Sequence, residues 1–214
     1  MGDVNQLLYV RERTAQFCPP YLEVGSRDHG TTQDLRSVFS APDSFVGVDL
    51  QDGPGVDRVL DLTRDFAQVD AALEGRRFGG IFCLSVLEHC RRPFEMASNL
   101  TRLLAPGGAL CVGVPFAWKF HAYPSDYWRF THEGVKQLFP DLHFEASDVV
   151  LAGERPGDVV PVDEELGRFP LSFSTWRRRG RPGRALAAAL VRRITGWRYV
   201  LPPVHLIMTG QNWK

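Results

Sequence analysis

Apolar positions along the chain change their period several times, and each change marks an element. Over residues 4–17 they mix with polar residues at helical spacing until Pro19-Pro20 stops the run, which predicts a helix within the first 18 residues. Residues 21–24 read as a short strand ending at Gly25, and 31–39 as a helix with Leu35, Val38 and Phe39 on one face. Strands over 45–48 and 58–60 end at Asp49 and Asp61. A short helix over 66–73 precedes a buried strand over 81–84. The helix over 93–104 has Pro93 in its first turn and keeps Phe94, Ala97, Leu100, Leu103 and Leu104 at helical spacing. Pro106-Gly107-Gly108 predicts a tight turn before a strand over 109–114. Thr131 caps a helix over 131–139, and strands over 143–151 and 199–209 complete the pattern. Strand and helix alternate at the tempo of a βαβ protein with a parallel sheet. Residues 152–198, rich in Pro, Gly and Arg, break that tempo and read as an insertion between the last two strands of one domain spanning 1–214.

Composition narrows the classes. A chain of 214 residues that is 44% hydrophobic can bury one core, and 25 basic against 25 acidic residues leave no global field for nucleic acid or a membrane. Lys119, Lys136 and Lys214 are the only lysines, so the remaining basic residues are arginines, whose GC-rich codons fit a bacterial source. Cys18, Cys83, Cys90 and Cys111 form no CxxC pair, so neither a disulfide framework nor a zinc cluster is indicated. With no leader-like start and no apolar run of roughly 18 residues, the expectation is a cytoplasmic protein without stable membrane insertion.

In doubly wound sheets ligands sit beyond the carboxyl ends of the strands, so residues at strand ends carry the chemistry. After the first strand comes Gly25-Ser26-Arg27-Asp28-His29-Gly30, where Gly25 permits a sharp turn and close approach to a ligand. A dinucleotide fingerprint would need glycine where Arg27 stands, and a Walker A loop would need lysine where Thr31 stands. Asp49 ends the second strand, 24 residues after Gly25, where a carboxylate can accept two hydrogen bonds from a ribose diol or simply cap a turn. Asp61 ends the third. The fourth strand runs into Ser85-Val86-Leu87-Glu88-His89, and the following helix into Leu104-Ala105-Pro106-Gly107-Gly108.

These features in order resemble the acidic-x-Gly loop and the "S-x-L-E-H … L-x-P-G-G" pattern of the class I S-adenosylmethionine-dependent methyltransferases, over about residues 20–150. The stretch 123–131, YPSDYWRFT, is similar to one in a bacterial subset of methyltransferase-11-like members, often encoded with sugar or natural-product pathways. The resemblance implies a Rossmann-like, doubly wound α/β fold with seven strands, mostly parallel with an antiparallel last strand, and helices on both faces. It implies S-adenosylmethionine as cofactor, held by Glu23, Gly25, Ser26, Gly30, Asp49, Leu50, Asp61, Leu62 and Ser85. Of these, Glu23 would order the loop and the methionine end, Asp61 would meet the adenine amino group, and Leu50 or Leu62 would pack on the ring.

The segment 116–131 is too aromatic for a solvated loop, and Tyr123, Asp126, Tyr127, Trp128 and Arg129 are the expected substrate contacts. A hydroxyl acceptor calls for a base, and His121 is the first choice because an imidazole titrates near neutral pH. His89 is the second, although the same position suits a histidine hydrogen-bonded at a helix start. No metal is expected, since acidic ligands are not grouped. The expected partner is a small molecule, anionic or phosphorylated if the arginines of the insertion meet it, taken up by a monomer or homodimer without nucleic acid. Arg177, Arg178 and Arg179 would contribute to a lid, or else form a solvated charged face or a membrane-surface helix. A non-catalytic protein of the same fold, or another transfer from the same cofactor, are the alternatives.

Overall fold

The computed structural model describes residues 4–30, 34–122, 124–153, 155–162, 169–170, 182–195, 199–200 and 204–213. Among the described residues there are ten strands: β1 (Tyr21–Val24), β2 (Phe45–Asp49), β3 (Arg58–Val59), β4 (Phe78–Leu84), β5 (Leu104–Ala117), β6 (His143–Ala152), β7 (Val159–Pro161), β8 (Phe169–Pro170), β9 (Tyr199–Val200) and β10 (Val204–Gln211). Eight of them form one sheet in the order β3-β2-β1-β4-β5-β10-β6-β7. The first five are mutually parallel, whereas β10 runs antiparallel to both β5 and β6. Strand order reverses between β1 and β4, which creates a crevice at their carboxyl ends.

Alternation along the strands supplies two cores. Leu22 and Val24 face one side with α2 (Phe66–Ala72), α3 (Pro93–Leu103) and α4 (His132–Leu138), through Val69, Leu100 and Val135 among others. Tyr21 faces the other side in an aromatic cluster of Phe17, Phe39, Phe45 and Phe82, under α1 (Val4–Arg11). Polar side chains fix α1 on that face. Asn5 Nδ2 donates to the carbonyls of Gly153 and Arg155, Gln6 Nε2 donates to Ser85 Oγ at 3.1 Å, and Tyr9 Oη bonds the Asp148 carbonyl at 2.7 Å.

Several expectations change in detail. The helix expected over 31–39 is a single 3₁₀ turn, Arg36–Val38, among the described residues. Asp34 Oδ1 accepts from the backbone N–H groups of Arg36 and Ser37 and so competes with helical hydrogen bonding. The expected seven strands become eight, because β7 within the insertion pairs with β6. The strand expected over 199–209 divides into β9, which pairs with β8 in a separate ribbon, and β10. Pro202-Pro203, which offer no N–H to a ladder, fall between them. The turn at Pro106-Gly107-Gly108 is an irregularity inside β5, where pairing with β4 shifts and Gly107 adopts φ +72°. Helix α5 (Pro182–Thr195) leaves Leu186, Leu190 and Ile194 exposed, and Arg177–Arg179 lie outside the described residues. No helix among the described residues is long and apolar enough to cross a membrane.

Phe82 is 1% exposed within the aromatic cluster, so Phe82→Ala is expected to cost about 3–5 kcal/mol in denaturant unfolding. Phe94 on α3 is 61% exposed, and Phe94→Ala should stay within about 0.5 kcal/mol of the parent.

Candidate active site

The loop after β1 is set by sterics. Gly25 has φ +69°, and a Cβ there would lie 2.6 Å from Val86 Cγ2, so a larger residue would be strained and would have to displace the Val86 side chain in the turn after β4. The N–H groups of Gly25 and Ser26 both donate to the Val48 carbonyl, which ties the loop to β2. Ser26 Oγ is buried with no hydrogen-bond partner among the described residues, a polar atom that a ligand in the crevice could satisfy. Gly30, φ +77°, donates to Asp28 Oδ1 farther along.

Glu23 is buried on β1, and burial pushes its carboxyl above its ordinary value despite the Arg36 guanidinium at 3.2 Å. Arg36 also holds the Gly55 carbonyl and Asp57, whose Oδ2 accepts from Gly47 N–H at 2.6 Å. Asp49 ends β2 beside this loop and accepts from the backbone N–H of Gln51 at 3.0 Å and of Arg27 at 3.4 Å. Arg27, the residue that departs from a glycine-rich loop, reaches across to Gln51 Oε1. Asp61 accepts from the Thr63 hydroxyl and N–H. Burial, which pushes its carboxyl up, is outweighed by these bonds and by Arg64 and Arg92, so it lies below the ordinary range. Leu62 is 2% exposed within the core, and Leu50 is 64% exposed. Ser85 takes φ +55° at the end of β4, a strained conformation for a residue with a side chain.

The aromatic loop is strapped to the residues that follow β4. His89 Nδ1 bonds the Ser125 carbonyl at 2.5 Å, Tyr127 N–H donates to the Glu88 carbonyl at 2.8 Å, and Trp128 Nε1 donates to the Cys90 carbonyl at 2.8 Å. Asp126 and Arg129, expected to touch substrate, are instead engaged with each other. Arg129 Nη1 and Nη2 fork onto the two Asp126 oxygens at 2.5 and 2.7 Å, and Arg129 also caps the Trp118, Lys119 and Trp128 carbonyls. That fork holds the Asp126 carboxyl well below the usual carboxylate range although the side chain is 1% exposed. Tyr127 and Trp128 remain partly exposed, and Tyr123 lies outside the described residues.

The strap brings the two expected bases together. The His89 and His121 rings meet edge to face with centroids 5.0 Å apart. His121 Nδ1 lies 3.2 Å from Asp126 Oδ2, and burial holds His89 below its ordinary value. Beneath them is a group that sequence reasoning did not single out. Glu88 is completely buried, neither carboxylate oxygen has a hydrogen-bond partner among the described residues, and burial pushes its carboxyl up to about 7. Its adjacency to His89 just past β4 was the available signal. Trp118, stacked on His205 at 4.5 Å, walls the same region. A surface cleft lined by Phe45, Arg58, Glu74 and Arg76 lies at the opposite end of β2 and takes no part.

No protein-family model and no curated protein matches the sequence. Solved structures do resemble the fold. One is a S-adenosylmethionine-dependent methyltransferase from Archaeoglobus fulgidus (TM-score 0.55, 15% identity, 96% of this chain and 92% of that one). Another is the 1,6-didemethyltoxoflavin-N1-methyltransferase of Burkholderia thailandensis with S-adenosylhomocysteine bound (0.55, 14%, 99% and 78%). A third is the N-methyltransferase NodS of Bradyrhizobium japonicum, also with S-adenosylhomocysteine (0.54, 12%, 99% and 86%). The chain therefore has the Rossmann-like fold of the methyltransferases.

Native Glu88 keeps its proton to about pH 7, whereas the unfolded chain releases it near 4.5. The unfolded state then binds fewer protons across that window, so stability falls as pH rises through it, by about 3 kcal/mol when the shift is fully expressed. Glu88→Gln should remove this decline in metal-free urea unfolding. An unchanged pH dependence would show that Glu88 is not buried as described.

Proposed function

We propose that the protein is a S-adenosylmethionine-dependent methyltransferase that methylates a hydroxyl of a small molecule such as a sugar, a nucleoside or a natural-product intermediate. The observation that carries this reading is the pairing of His89 and His121 beyond β4, whose neighbour β1 and the next strand, β2, present Gly25 and Asp49 to the same crevice.

The cofactor would supply a methyl group activated on a sulfonium. Gly25 gives the close backbone approach, Ser26 Oγ an unclaimed polar atom, Asp49 the diol acceptor, Asp61 the adenine contact and Leu50 an apolar surface for the ring. Because such a displacement is driven by placement, the contribution of this chain is orientation, exclusion of water and custody of one proton. His89 Nδ1 donates to the Ser125 carbonyl, so its neutral ring carries the lone pair at Nε2. His121 Nδ1 bonds the Lys119 carbonyl and lies 3.2 Å from Asp126, and the ionised Asp126 stabilises the imidazolium formed when His121 takes the acceptor proton. Tyr127, Trp128 and Trp118 line the side from which the acceptor enters.

S-adenosylhomocysteine is expected to raise the melting temperature, by an amount equivalent to about 2.7 kcal/mol at a hundredfold excess over its dissociation constant. Asp49→Ala should remove most of that shift without unfolding the protein. A larger shift with NAD or ATP would overturn the reading. With a hydroxyl acceptor, His121→Ala should lower kcat about 10²-fold or more, leave S-adenosylhomocysteine affinity nearly unchanged and remove the acidic limb of the pH profile. Accumulation of S-adenosylhomocysteine separates methyl transfer from a non-catalytic protein and from transfer of another part of the cofactor.

A further inference from the structure

We infer that Glu88, His89 and His121 together bind a divalent transition-metal ion. One donor atom from each residue lies within 4.8 Å of the others, and Glu88 Oε1 is 3.9 Å from His89 Nε2. Metal bonds of roughly 2.0–2.2 Å at tetrahedral angles place donors about 3.3–3.6 Å apart, so the 3.9 Å pair closes by about half an ångström and no pair by more than about 1.5 Å. The donor set is the two-imidazole, one-carboxylate combination that transition metals take while keeping positions open for a further ligand.

Two independent observations point the same way. The buried Glu88 carboxylate has two oxygens without hydrogen-bond partners among the described residues, an arrangement that is costly unless a cation or proton occupies it. Each imidazole also has its Nδ1 already held, in His89 by the Ser125 carbonyl and in His121 by the Lys119 carbonyl with the Asp126 carboxylate beside it, as in metal sites where an outer acceptor fixes the ring and leaves Nε2 for the ion. The inference rests on the proposed activity and deepens it. In the metal-bound protein His121 would be a ligand in place of the base described above for the metal-free protein, and the cation would supply the Lewis acidity that lets an acceptor hydroxyl lose its proton to solvent.

The test uses the full chain stripped with chelator and titrated calorimetrically with Zn²⁺, and with Co²⁺ followed by visible absorption. One equivalent should bind, and Co²⁺ should develop ligand-field bands. Glu88→Gln and His121→Ala should each weaken binding by about 100-fold or more, whereas His132→Ala, on the exposed start of α4, should not. Melting curves and S-adenosylhomocysteine titrations report whether each variant is folded. The inference is overturned if no stoichiometric binding occurs, if binding survives both ligand variants, or if His132→Ala weakens it equally. S-adenosylhomocysteine binding without metal binding would leave the proposed function standing; metal binding without S-adenosylhomocysteine binding would remove it.

Discussion

The crevice depends on one ion pair, the fork between Arg129 and Asp126. Without it, the residues between β5 and α4 would be a run of aromatic side chains with little to fix their path. With it, one guanidinium satisfies both oxygens of a carboxylate that is 1% exposed and three carbonyls besides. Charged hydrogen bonds contribute roughly 1.5–3 kcal/mol each when buried and less where a partner is exposed, as the Arg129 guanidinium is. The same carboxylate accepts the His121 N–H at 2.8 Å, so fixing the loop and aiming the imidazole are one event. Disturbing the pair would therefore change the loop and the base together.

The second constraint is the end of β4. Ser85 turns through a left-handed conformation, which sends Glu88 inward while His89 stays at the surface of the crevice. Val86 packs against Gly25, so the turn after β4 also shapes the turn after β1. The buried polar face of α1 reaches the same spot through Gln6, whose amide bonds Ser85 Oγ. The N-terminal helix is thus part of the support beneath the crevice and not an appendage to the sheet.

Much of this was legible along the chain because the signals are local. The strand over 45–48, the helix opening at Pro93 and the Thr131 cap depend on neighbouring residues, and Thr131 Oγ1 does accept from Gly134 N–H at 3.0 Å. The strand-end acids at Asp49 and Asp61 were readable for the same reason. What was not legible is pairing at a distance. Asp126 and Arg129 read as substrate contacts because nothing in their spacing says that they satisfy each other. Glu88 was hidden because its character comes from burial beneath a loop that arrives 36 residues beyond its neighbour His89.

The bias toward arginine has a structural meaning beyond codon usage. At the carboxyl edge of the sheet, individual arginines gather carbonyls from loops that would otherwise lack partners. Arg36 joins Glu23, the Gly55 carbonyl and Asp57 beside β1 and β2, while Arg92 binds both the carbonyl and the hydroxyl of Thr63 after Asp61. Arg129 does the same for the loop between β5 and α4. A lysine ammonium is a single strongly hydrated point and cannot span such sets, whereas the guanidinium offers five donors in a fixed plane. Each brace holds the acid or the loop beside its strand end in place. Glu88, which no arginine braces among the described residues, lies directly beneath two imidazoles.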